Sequence, residues 1–175
     1  DEALSMLEAQ RDRIFVAPAL GIGVTTLNEA SDWGVTHKMA VEMGVQDQVD
    51  YAVRVMKHLL RAGVRVLPGG DYGFAWNPVG KNARDLEHFV TLLGMSPMEA
   101  IVAATRWGGE LMRHGNDLGQ VSEGYLADLI LVDGDPLSDI RILQDPSRIV
   151  CVMKDGKVEK MTLQERQSRP FRVAA

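Results

Sequence analysis

The chain has 175 residues, 46% of them hydrophobic and 25% charged, with a formal net charge of −5 and a single cysteine, Cys151. That is the mixture of an ordinary globular protein; one cysteine excludes an internal disulfide and a cysteine zinc site, and a reducing, cytoplasmic setting is expected. No basic run and no apolar stretch of the ~20 residues a membrane span needs is present, so neither nucleic acid nor a membrane is an expected partner.

Leu4, Met6 and Leu7 mark a helix over residues 3–11, and Ile14 to Leu20 form an apolar run of strand length. Residues 21–46, rich in Gly, Thr, Asn, Asp and Ser, read as a long irregular loop with one short helical turn, carrying Trp33 and His37. Loops of that length in compact domains are usually functional or disordered. Val49, Val53, Met56 and Leu60 then make one apolar stripe over 46–62, stopped by Gly63. Val64 to Leu67 is a second brief strand, ended by Pro68-Gly69-Gly70 just before Asp71. A helix over 82–94 carries Ala83, Leu86, Val90 and Leu93 on one face. Ser96-Pro97-Met98-Glu99 is a capping box with Pro at the first helical position, which predicts a helix from Pro97 to about Thr105.

Beyond His114 the texture changes to short strands and turns. Leu129 to Val132 reads as a buried strand, and Ile149 to Met153 pairs across Lys154-Asp155-Gly156-Lys157 with Val158 as a hairpin. Residues 164–175 are polar and aperiodic and read as a tail. The order is alternating α/β followed by small β. The chain also begins without Met and inside helical patterning, so a piece of a longer protein is expected.

Residue type and geometry converge at Gly69-Gly70-Asp71-Tyr72-Gly73. Parallel α/β sheets bind ligands beyond the carboxyl ends of their strands, and an Asp there among glycines has little steric cover. From position alone, Asp71 reads first as a turn or capping residue.

The wider string adds to that. GGDYGF, GKNARDLEHFVTLLGMSPMEAIVAAT, LGQVSEGYLADLILVDGDPLSDI and VMKDGKV, in this order, resemble the carboxyl-terminal part of the metal-dependent amidohydrolase superfamily, closest to its imidazolonepropionase-like and Xaa-Pro-dipeptidase-like members. The resemblance covers roughly residues 3–160. It implies an α/β fold, the carboxyl-terminal part of a (β/α)8 TIM-like barrel plus strands of a small composite β-sandwich. Residues 1–117 then form the barrel portion, 118–163 the sandwich strands and 164–175 the tail.

By the same resemblance Ile14 to Leu20 is the seventh barrel strand and Val64 to Leu67 the eighth. Asp71 takes the place of the strand-eight Asp that binds metal and shuttles the proton between attacking water and leaving group. The common GTDAG sequence reads Gly69-Gly70-Asp71-Tyr72-Gly73 here, so Tyr72 alters the pocket wall without removing the carboxylate. The family's other ligands, a His-x-His pair, a Lys that is often carboxylated and two further His, have no counterpart in this chain. The implied cofactor is therefore a divalent metal, zinc in the first place, as one or two ions with most ligands outside this chain.

Among the histidines, His58 and His88 read as helix-surface or packing residues and His114 as a helix-end residue. His37, with Trp33, is a candidate substrate contact at the pocket mouth, and Tyr72 and Asn82 are two more. Gly21-Ile22-Gly23 lacks the third glycine of a dinucleotide fingerprint, and Ser96 and Cys151 sit in structural places. The expected function is hydrolysis of an amide, peptide-like or cyclic-amide C–N bond in a small-molecule or short peptide-like substrate. The alternative is a catalytically incompetent piece of such a hydrolase. Either way the chain is expected to form a homo-oligomer or to pair with the missing barrel half, because an incomplete barrel leaves strand edges open.

Overall fold

A computed structural model describes residues 2–162; the tail expected over 164–175 lies outside them. The element order is α1 (Glu2–Ala9), β1 (Phe15–Val16), α2 (Leu20–Glu29), α3 (His37–Glu42), α4 (Val45–Arg61), β2 (Arg65–Val66), α5 (Arg84–His88), α6 (Pro97–Ala104), α7 (Arg106–Leu111), β3 (Leu129–Val132), β4 (Ile149–Lys154) and β5 (Lys157–Met161). Short 3₁₀ turns lie at Ser31–Trp33 and Ile140–Gln144, and α5 runs on as a π-helical turn over Phe89–Leu93.

β1 and β2 pair in parallel, Phe15 opposite Arg65 and Val16 opposite Val66. Parallel neighbours need a long crossover, and α2 to α4 supply it. The apolar stripe of α4 buries Met56 and Leu59 against the strands and Val49 against α2 and α3. Its end is a Schellman motif: Gly63, at φ 84°, donates to the Leu60 carbonyl at 3.0 Å, and Val64 donates to Leu59 at 2.9 Å. That bond pattern turns the chain straight from helix into β2. Leu59, Val64, Val66 and Phe89 are almost fully excluded from solvent and form the centre of the core under the strand pair.

The segment 21–46 departs from the expected irregular loop, since α2 and α3 occupy most of it. Polar side chains that usually compete with helix are here bonded back to it. Thr25 and Thr26 hydroxyls donate to the Gly21 and Ile22 carbonyls at 2.9 and 2.7 Å, and Asn28 donates to Val24 at 2.7 Å. Leu27, Ala40 and Val49 then bury one side of both helices, so tertiary packing overrides weak propensity. Thr36 caps α3 by accepting from the Met39 amide at 3.3 Å. The strand expected over 14–20 is also shorter, because Ala19 turns left-handed at φ 51° and Leu20 already opens α2.

β3, β4 and β5 form a three-stranded antiparallel sheet in that order. Asp155 and Gly156, both at positive φ, make the two-residue turn that joins β4 to β5. The strand at 129–132 forms as expected but is not buried: Ile130 and Leu131, which point to opposite faces of the sheet, are 52% and 50% exposed.

The capping box of α6 is present as the sequence predicts. Ser96 Oγ accepts from the Glu99 amide at 3.3 Å, and the Ser96 amide donates to Glu99 Oε2 at 2.7 Å. Replacing Ser96 with Ala removes one of these bonds, and chemical denaturation is expected to register a loss of about 1 kcal/mol; an unchanged midpoint would refute the capping role.

Candidate active site

β2 delivers the chain to the site. The Leu67 amide makes the last bond to β1, at 2.8 Å to the Val16 carbonyl, and Pro68, Gly69 and Gly70 then leave the sheet. Beyond that point the backbone finds other partners. The Gly70 carbonyl accepts from the Ile22 amide at 2.8 Å and from Asn77 Nδ2 at 2.9 Å, and the same nitrogen donates to the Asp71 carbonyl at 2.9 Å. Asn77 is completely buried. Asp71 is held at φ 55°, a left-handed conformation that Asp tolerates better than most residues.

Asp71 is exposed, and among the described residues its carboxylate accepts no hydrogen bond. It faces a cleft of about 330 Å³ lined also by Tyr72, Val79, Asn82 and Asp85. Asn82 accepts from the Gly80 amide at 3.1 Å, which fixes its side chain at the cleft rim. Among the described residues no three His, Cys, Asp or Glu side chains come together as a ligand group. Asp71 thus fits one ligand of a metal site, while the three or so that a catalytic zinc requires are not assembled among the described residues.

Behind the loop sits a second carboxylate. The sequence places Asp85 in a solvated helix start, yet it is only 3% exposed, and Tyr72 donates its phenol to Asp85 Oδ1 at 2.9 Å. A Cβ on Gly70 would stand 2.5 Å from that oxygen, and one on Gly21 would stand 2.8 Å from the Gly70 carbonyl. Both glycines are therefore required by close approach. Burial pushes the Asp85 carboxyl above its usual range, and burial with the bond to Asp85 pushes the Tyr72 phenol up. His88, also buried, has Nδ1 3.9 Å from Asp85 Oδ1 and no hydrogen-bond partner for it; burial pushes its pKa down. Asp85, Phe89 and Leu93 recur every fourth residue, a spacing beside the expected stripe of Ala83, Leu86, Val90 and Leu93 that could have marked Asp85 as inward-facing.

Beside the cleft lies an aromatic group that the sequence revealed only through Trp33. Trp33 and Trp76 have ring centroids 6.3 Å apart, and Phe74 and Trp76 5.7 Å apart. Trp76 donates its indole N–H to Thr26 Oγ1 at 2.9 Å, which fixes its ring. A second cleft, of about 430 Å³, runs past Trp33, Trp76, Lys81 and Arg84. Its Arg84 guanidinium is paired with Glu29 at 2.8 Å. His37 lines neither cleft: its Nδ1 lies 2.9 Å from the Leu27 carbonyl, tying α3 to the end of α2. His58 pairs with Glu8 on the surface, and His114 lies past α7, 3.1 Å from Asp117.

The sequence pattern of the amidohydrolase family matches residues 52–158. The chain belongs to the amidohydrolase family. It is 35% identical over 117 residues to an ochratoxinase of Aspergillus niger, a match that takes in 66% of this chain and 24% of that protein. The chain thus spans about a quarter of that relative's length. The crystal structure of A. niger ochratoxinase superposes with a TM-score of 0.74 at 29% identity, over 92% of this chain and 35% of that one. A Xaa-Pro dipeptidase with methionine bound in its active site gives 0.71 at 26% identity, over 91% and 37%. The dipeptidase-like branch of the family, and the α/β fold of a partial amidohydrolase barrel, are as the sequence implied.

The buried His88 of this amidohydrolase makes a further expectation concrete. Folding lowers its pKa, so the unfolded chain binds a proton near the ordinary value of about 6.5 that the folded chain binds only at lower pH. Stability therefore falls as pH drops below about 6.5, until the folded pKa is passed. Melting temperatures of His88→Gln are expected to decline less over that window than those of the wild type; parallel curves would contradict the assignment.

Proposed function

We propose that this chain is the carboxyl-terminal part of a metal-dependent hydrolase that cleaves an amide, peptide-like or cyclic-amide C–N bond, with Asp71 as its strand-end carboxylate. The observation that carries this reading is the Asp71 side chain itself, exposed and unpartnered among the described residues, on a fixed left-handed backbone at the end of a parallel strand. Residues 1–117 are read as the end of the barrel and 118–163 as strands of the adjoining sandwich.

A divalent ion, zinc in the first place, supplies a water with a pKa near 7 and a polarised substrate carbonyl when bound. Asp71 has two jobs in this scheme. One oxygen is a ligand, and the carboxylate takes a proton from the attacking water as the C–O bond forms, then hands it to the leaving nitrogen as the C–N bond breaks. The open cleft leaves room for a small-molecule or short peptide-like substrate, with Tyr72 and Asn82 on its walls. Trp33, backed by Trp76 and Phe74, is a flat apolar surface for a substrate group beside it. The remaining ligands come from other barrel strands, so activity requires those strands from the same polypeptide or a paired one.

In the complete barrel protein, Asp71→Ala is expected to lower kcat/KM by on the order of a thousandfold and to reduce bound metal. Near wild-type turnover in that variant would refute the reading. Trp33→Ala is expected to raise KM with kcat little changed, the signature of lost ground-state binding; steady-state kinetics with unchanged KM would remove Trp33 from the substrate surface.

A further inference from the structure

Asp71 is unusual in being non-glycine at φ 55° while its neighbours Gly69 and Gly70 carry the freedom to be left-handed. A carboxylate that must meet a reacting group needs a fixed backbone beneath it, and a left-handed loop leaving a sheet is not fixed by the sheet. Two side chains supply what the sheet does not. Asn77, from the turn that follows, binds the carbonyls of Gly70 and Asp71. Asp85, from α5, reaches the loop from another element.

The placement of Asp85 is costly on its own account. Burying a carboxylate is unfavourable unless its oxygens find donors. Among the described residues no cation bonds it: Arg84, next in sequence, pairs with Glu29, and His88 is too far at 3.9 Å for a hydrogen bond. The donor it does find belongs to the loop. Tyr72 gives its hydroxyl at 2.9 Å, and Gly70 packs against the same oxygen, where a Cβ would stand 2.5 Å from it. These residues flank Asp71 in sequence.

We infer that Asp85 is a positioning residue for Asp71, bracketing it by holding Tyr72 on one side and packing against Gly70 on the other. The inference rests on the reading of Asp71 given above. It also accounts for the Tyr that replaces the small residue of the family's GTDAG sequence. The Tyr72 ring covers Gly70, where a Cβ would stand 2.5 Å from Tyr72 Cε2, and its hydroxyl completes the bracket. Tyr72 and Asp85 then form one unit that holds the backbone on which the Asp71 carboxylate stands.

The test uses the complete barrel protein, purified with its metal, and two mild variants. Tyr72→Phe deletes one hydroxyl, and Asp85→Asn keeps the shape while placing an amide donor against the loop's donor. Both are expected to lower kcat by roughly ten- to hundredfold with KM within about twofold. The double variant is expected to lose little more than Asp85→Asn alone, because the two groups serve one contact. Melting temperature and folded fraction are measured in parallel. Wild-type kcat in both single variants overturns the inference. So does a kcat loss that matches the loss of folded protein and vanishes on cooling. An active Asp71→Ala would sink the reading of Asp71 itself, whereas an inactive Asp71→Ala beside a fully active Asp85→Asn sinks only the positioning role.

Discussion

Where β2 leaves the sheet, the peptide groups of Gly69, Gly70 and Asp71 lose the neighbouring strand that would bond them, and a buried peptide group left unpaired is expensive. The rest of the site follows from how that demand is met. The Ile22 amide at the start of α2 and the Asn77 side chain satisfy the Gly70 carbonyl, and Asn77 satisfies Asp71 as well. Because Ile22 must come this close, Gly21 has to lack a side chain. Because Asp85 must reach the loop, Gly70 has to lack one too. One backbone demand thus fixes two glycines, a buried Asn and a buried Asp, and leaves the Asp71 carboxylate as the group facing outward.

That logic separates what was legible in the sequence from what was not. The capping box at Ser96, the stop at Gly63 and the strand-end position of Asp71 depend on residues within a few positions of each other, so a local pattern carries them. α2 and α3 do not. Their Thr, Asn and Gly content argues for loop, and only the back-bonded hydroxyls and the contacts to Val49, which no local window contains, make them helical. Gly21-Ile22-Gly23 is a clear case. It reads as an incomplete dinucleotide fingerprint, whereas its first glycine answers a residue almost fifty positions later.

Asp85 stands between these cases. Its spacing with Phe89 and Leu93 could have marked it as inward-facing, but charge marked it as outward-facing, and the second rule is right for most Asp. Only the presence of a donor on the facing loop decides the conflict, and that donor is a tertiary fact. His88 follows the same pattern one turn on, buried beside the core with its Nδ1 unpartnered.

The described residues also present two surfaces that a sealed globule would cover. Ile130 and Leu131 stand half exposed on the three-stranded sheet, and Trp33 and Phe74 stand 50% and 46% exposed beside the Asp71 cleft. The two differ in how they are built. Around Trp76 the rings are held by a hydrogen bond to Thr26, and the turn carrying Phe74 is closed onto Asn77, so this apolar surface is as rigid as the carboxylate it adjoins. Ile130 and Leu131, neighbours in β3, point to opposite faces of a sheet whose ladder shifts register between Leu131 and Val132. A surface fixed by the same Asn that fixes Asp71 is organised with the chemistry. Apolar side chains standing free on a sheet are instead organised for packing against a further layer.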